Sequence, residues 1–124
     1  MDRPDLLIVD AANVVGSVPD GWWRDRHGAT ERLRDRLAPL AASGLPDRPG
    51  PLEVVLVVEG AARGVASAPP VRTEAAEGSG DDLIVRLVGE AAPHRPVLVV
   101  TADRELRRRV SELGADVTGP RAVR

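Results

Sequence analysis

Leu6-Leu7-Ile8-Val9-Asp10, continued by Ala11-Ala12-Asn13, is apolar at four successive positions and then stops on an acid. A half-exposed strand alternates apolar with polar side chains. A strand covered by helices on both faces is apolar throughout, as in the parallel sheets of α/β proteins. Two more runs repeat the pattern: Val54-Val55-Leu56-Val57-Val58 before Glu59, and Val97-Leu98-Val99-Val100 before Thr101-Ala102-Asp103. In such sheets the ligand crevice lies outside the carboxyl ends of the strands, where strand order reverses. Asp10, Glu59 and Asp103 are therefore expected at one rim.

Outward from these runs the chain alternates strand with helix, which predicts one α/β domain over residues 1–124. Strands are expected at about 5–10, 53–58, 71–73, 96–101 and 115–118. A polar, arginine-rich helical segment runs from about Trp22 to Ser43, with Leu33, Leu37, Leu40 and Ala41 at helical spacing and Pro39 expected to bend or end it. Residues 44–51 hold three prolines and read as a loop. Ser79 reads as an N-cap before Asp81-Asp82 and apolar Leu83, Ile84, Leu87 and Val88. A last helix from Asp103 to Leu113 stops at Gly114.

At 124 residues the chain has the length of one domain, able to bury about two-thirds of its unfolded surface. Hydrophobic residues at 43% and charged residues at 29% mark a globular protein, and apolar runs of at most five cannot cross a bilayer. No membrane association is expected. Without cysteine there is no disulfide framework or thiolate metal site, and the start has no basic segment leading into a long apolar stretch, so the cytoplasm is the expected compartment. All 17 basic residues are arginine, which excludes lysine chemistry, the P-loop and the receiver fold, whose last strand is followed by a lysine. The first strand lacks the Gly-x-Gly-x-x-Gly of dinucleotide binding.

Asp10 and Asn13 place a carboxylate and an amide at the end of the first strand. Asn13 could hydrogen-bond a phosphate or a metal-bound water, or merely cap its own turn. Asp81 and Asp82 favour the positive end of their helix, although two acids exceed what capping requires. If Asp10, Asp81 and Asp103 converge, each close pair costs ~4 kcal/mol at an effective dielectric near 20, a cost that a divalent cation removes. Oxygen ligands without Cys or a His pair select Mg²⁺ or Mn²⁺ over zinc, and His27 and His94 read as surface residues. Thr101 could orient a carboxylate or a water, or simply be a β-branched strand end.

Asp10-Ala-Ala-Asn13, Val58-Glu59-Gly60, Ser79-Gly80-Asp81-Asp82-Leu83-Ile84 and Val100-Thr101-Ala102-Asp103-Arg104 together resemble the NYN subfamily of the PIN-like nucleases, over about residues 5–118. The resemblance implies a three-layer α/β sandwich with a mostly parallel sheet of about five strands in the order 3-2-1-4-5. It also implies a metal-dependent nuclease, expected to act on single-stranded RNA. Asp10, Asp81 and Asp103 would hold Mg²⁺ or Mn²⁺, Asn13 and Thr101 would support them, and Glu59 and Asp82 are further candidate ligands. Glu59 stands where related sequences often have Asp. Family members commonly continue into another C-terminal helix, so one face is expected to be thinly covered, and a second copy of the chain could supply the cover.

Trp22-Trp23-Arg24 holds all the aromatic residues, and adjacent indoles cannot easily both point inward. One could pack in the core, while an exposed ring could stack on a base with Arg24 on phosphate or form a dimer contact. Arg104, Arg107 and Arg108 follow the last acid and could flank a polyanion, or form a solvated face with Glu105 and Glu112; Arg109 is expected elsewhere around the helix. Two other functions share these residues: hydrolysis of nucleoside triphosphates or another small phosphate compound, and a non-catalytic RNA- or nucleotide-binding module.

Overall fold

The structure is a computed structural model that describes residues 3–124. The chain forms β1 (Asp5–Asp10), a two-residue ribbon of β2 (Gly44–Leu45) and β3 (Arg48–Pro49), then β4 (Leu52–Val58), β5 (Val71–Ala75), β6 (Val97–Val100) and β7 (Asp116–Thr118). Apart from the ribbon, the strands make one sheet in the order β5-β4-β1-β6-β7, all pairs parallel. Counted within that sheet the order is 3-2-1-4-5, as expected. Order reverses between β4 and β6 on either side of β1, so the crevice belongs at Asp10.

Alternation along each strand divides the core. Leu7, Val9, Val54, Leu56, Val58, Leu98 and Val100 face a layer built from α1 (Ala11–Val15), α2 (Arg26–Leu37) and α3 (Leu40–Ser43), with Val14, Leu33 and Leu37 buried against them. Leu6, Ile8, Val55, Val57, Val97 and Val99 face α4 (Gly80–Ala91) and α5 (Arg104–Glu112) through Ile84, Val88, Leu106 and Val110. Full burial of each large side chain contributes roughly 1.5–3 kcal/mol, and continuous apolar runs follow from having two faces to fill.

Pro39 ends α2 at Leu37 and stands as the N-cap position of α3, because it has no N–H to continue the ladder. Two features lay outside the expectation. Residues 11–15 form a short helix because the Asp10 carboxylate accepts from the Asn13 N–H, and the expected 44–51 loop contains the β2–β3 ribbon. At the other end of the molecule Gly114 takes φ 97°, the left-handed region open to glycine, and closes α5. The face expected to lack cover is partly closed by a turn at Pro120–Ala122 that buries Val123 in the core, while Arg124 donates to the Ser17 carbonyl. A second copy is not needed to shield that part of the core.

Charge separates the two ends of the sheet. At the amino ends Arg48 pairs with Asp5 at 3.0 Å and Asp116 at 2.6 Å, and buried Arg95 pairs with Glu53 at 2.9 Å. At the carboxyl ends Asp10, Glu59, Asp81 and Asp103 have no ion-pair partner among the described residues. No described helix is long and apolar enough to cross a membrane.

Candidate functional site

Asp10 ends β1 and is only 5% exposed. Its Oδ2 accepts from the Thr101 hydroxyl at 2.9 Å, and its Oδ1 accepts from the Asn13 N–H at 3.4 Å. Burial pushes its carboxyl up from 3.8 to about 6; the two hydrogen bonds oppose the rise, and the charges of Asp81 and Glu59 add to it. Thr101, fully buried, joins two strand ends: its hydroxyl also accepts the Asp103 N–H at 3.2 Å, so one side chain sets the positions of Asp10 and Asp103. Its β-branched shape is the smaller part of its role.

Asp103 caps α5, its Oδ1 accepting the Leu106 N–H at 2.9 Å, and this leaves Oδ2 without a hydrogen bond. Asn13 does not cap its own turn. Its Oδ1 accepts the Ala102 N–H at 2.8 Å and ties α1 to the loop that carries Asp103. Asp81 lies in the first turn of α4, where Ser79 accepts its backbone N–H at 3.1 Å. Partial burial raises its carboxyl, as do the charges of Asp103, Glu59 and Asp82, while Arg109 opposes them. Each acid thus lies within the electrostatic reach of at least one other.

Glu59 neither dangles in solvent nor joins the acids directly. Its Oε2 accepts the Gly80 N–H at 3.2 Å, so the longer side chain bridges from the end of β4 to the start of α4. A Cβ at Gly80 would stand 3.0 Å from Glu59 Oε1, so a side chain there would displace the carboxylate. Asp82 is exposed and accepts from Arg109 at 3.2 Å. Arg109, expected elsewhere, therefore faces the acids; helix α5 packs against α4, an orientation that its own sequence does not reveal.

The remaining candidates divide. Arg107 donates from Nε to the Thr101 carbonyl at 2.8 Å, beside the acids, and Arg104 is exposed one residue after Asp103. Arg108 is held by Glu105 and Glu112 on the outer face of α5, so the solvated-face alternative applies to it. Trp22 is half-buried against the core, with the Arg26 guanidinium 5.2 Å from its ring; Trp23 is 55% exposed, with Arg24 5.8 Å away. The free stacking surface is on Trp23. His27 and His94 are exposed, as expected.

Among the described residues no three acids stand close enough together to hold a metal ion. The donor chemistry does fit a hard cation. Asp103 Oδ2, Glu59 Oε1 and both Asp81 oxygens are unused by hydrogen bonds among the described residues, and neither Cys nor His is nearby to favour zinc.

The crystal structure of Rae1 (YacP) from Bacillus subtilis superposes with a TM-score of 0.78 at 18% identity, over 96% of this chain and 72% of that one. The chain has a PIN-like fold. In sequence, the same PIN-like chain is 35% identical to tripartite motif-containing protein 3 of Mus musculus over 121 residues, and 34% identical to the Rattus norvegicus protein over 121 residues. The match takes in 89% of this chain but spans only 15% of the length of those relatives. No family model matches the PIN-like chain.

Proposed function

We propose that this protein is a metal-dependent nuclease that hydrolyses phosphodiester bonds in single-stranded RNA. Asp10, Asp81 and Asp103 would hold Mg²⁺ or Mn²⁺, Thr101 and Asn13 would position the first and last of these, and Glu59 and Asp82 would brace the start of α4. The observation that carries the proposal is the separation of charge across the sheet: Asp5, Asp116 and Glu53 at its amino ends have arginine partners, whereas Asp10, Glu59, Asp81 and Asp103 at its crevice have no ion-pair partner among the described residues, and the charges around Asp10 and Asp81 push their carboxyls up. Uncompensated carboxylates at a switch point are costly to keep, and a divalent cation offsets the cost. The PIN-like fold and the resemblance to NYN nucleases point the same way.

The bound cation would polarise the scissile phosphate and lower the pKa of an attacking water. This chain's own groups would orient the substrate: Arg104 and Arg107 flank Asp103 and can meet phosphates, and Trp23 with Arg24 offers a stacking face for a base. Asp81 and Asp103 are half-buried at an open rim, which accommodates a polymer more readily than a closed pocket for a triphosphate. A binding module without catalysis is the second reading, favoured by the distance that still separates the acids.

The test is cleavage of single-stranded RNA with and without Mn²⁺ or Mg²⁺, alongside a nucleoside triphosphate mixture, using wild type, Asp10→Asn and Asp103→Asn. Metal-dependent RNA cleavage lost in both variants is the expected result. Triphosphate turnover alone would redirect the assignment to a small-phosphate hydrolase, and silence with both substrates to a binding module.

A further inference from the structure

The carboxyl end of the sheet is unevenly charged. Towards α4 stand Glu59, Asp81 and Asp82, the last paired with Arg109. On the other side of Asp103, Arg104, Arg107, Arg121 and Arg124 have no ion-pair partner among the described residues. There an open groove of about 600 Å³ takes in Ala102, the residue before Asp103, with Thr118, Gly119, Arg121, Arg124 and Ser17. No acid lines it, whereas four other hollows in the surface each have at least one acid in their walls. Its floor is fixed by the rest of the site: Asn13 Oδ1 holds the Ala102 N–H at 2.8 Å, and the Thr118 carbonyl accepts the Thr101 N–H at 3.0 Å. A Cβ at Gly119 would stand 3.8 Å from Arg107 Nη2, so the Arg107 guanidinium reaches the same wall. Arg124 is anchored through Nη1 on the Ser17 carbonyl at 2.9 Å, and Arg121 is exposed.

We infer that the RNA backbone leaves the acid rim along this groove, with Arg121 and Arg124 each meeting a phosphate of the nucleotides beside the scissile bond. The guanidinium fork matches phosphate, and phosphate contacts fix the course of a strand without reading its sequence. Acids on the α4 side repel a polyanion while the groove attracts it, so charge gives the strand one direction out of the rim. The small residues Ala102, Gly119 and Ala122 let a backbone lie close to the surface between the two arginines. The inference deepens the nuclease reading and rests on it for the identity of the polymer, but binding along the groove is measured apart from cleavage.

Fluorescence anisotropy of a short end-labelled single-stranded RNA, titrated in a chelator across a salt series, tests it. Arg121→Ala and Arg124→Ala should each weaken binding by about fivefold and lower the slope of log affinity against log salt by about 0.7. Arg86→Ala removes the same charge from α4, where Arg86 faces Glu90 at 3.8 Å, and should change neither. In a cleavage assay with metal, Arg121→Ala should raise KM with kcat nearly unchanged, because the contact is made equally in the ground and transition states. Wild-type protein that binds no RNA, an Arg121→Ala protein of unchanged affinity, or an equal loss in Arg86→Ala would each overturn the assignment. Binding lost selectively in the Arg121 and Arg124 variants, with no cleavage by wild type in any metal, would uphold the groove and remove the nuclease. A lowered kcat with KM unchanged in Arg121→Ala would put Arg121 at the reacting phosphate and overturn its place in the groove.

Discussion

Asp10→Asn is expected to stabilise the metal-free protein, and to do so only above acidic pH. A carboxyl whose folded pKa is raised binds more protons in the native than in the unfolded state between the two pKa values. Native stability therefore falls as pH rises from 3.8 to about 6, and the loss is complete above that. The shift corresponds to about 3 kcal/mol at pH 7. Asparagine removes the charge and keeps one oxygen for the Asn13 N–H, but it must rearrange the bond to Thr101, which returns about 1 kcal/mol. A net gain of about 2 kcal/mol, or roughly 6–10 °C in Tm for a domain of this size, should appear at pH 7.5 in a chelator. Near pH 4 the penalty in wild type falls to about 0.5 kcal/mol, so the advantage of the variant should vanish or reverse. Urea unfolding of both proteins at the two pH values measures this. A variant no more stable than wild type at pH 7.5, or a gain of equal size at pH 4, would show that Asp10 is not held at an unfavourable charge.

Thr101→Val should cost about 1–3 kcal/mol in urea unfolding, because a buried carboxylate loses its donor and the Asp103 N–H its acceptor; unchanged stability would remove Thr101 as the link between the two acids. Arg109→Ala should push the Asp81 carboxyl further up, since Arg109 opposes the rise, and a carboxyl NMR titration that shows no upward movement would refute the placement of α5 against α4. Asp103→Asn should leave stability nearly unchanged, because asparagine caps helices as well as aspartate, yet abolish metal-dependent cleavage; a folded variant with full activity would clear Asp103 of a ligand's role. Arg108→Ala should leave RNA affinity unchanged in a filter-binding assay, and a clear loss would contradict its confinement by Glu105 and Glu112.

The three central strands were legible because two-sided burial writes itself into the sequence as unbroken apolar runs, the strand order came only with the resemblance to the NYN nucleases, and Ser79, Asp103 and Gly114 mark helix ends by local chemistry. What lay hidden depended on contacts between distant segments. Asn13 resembles any turn amide until the 101–103 loop arrives to donate to it, and Glu59 finds its partner in the Gly80 N–H, 21 residues on. Periodicity along α5 places Arg109 relative to its neighbours but not relative to α4, so its contact with Asp82 had no local signal. Adjacent tryptophans could not be assigned inward or outward without the turn at Trp22–Arg24 that separates them.

The most direct test of the central claim is an Mn²⁺ titration followed by electron paramagnetic resonance on wild type, Asp10→Asn and Asp103→Asn, each sample assayed in parallel for cleavage of one single-stranded RNA. Bound Mn²⁺ and cleavage present together in wild type, and lost together in both variants, is the predicted result. RNA cleavage that persists in both variants, or that proceeds with no Mn²⁺ bound, would contradict the account.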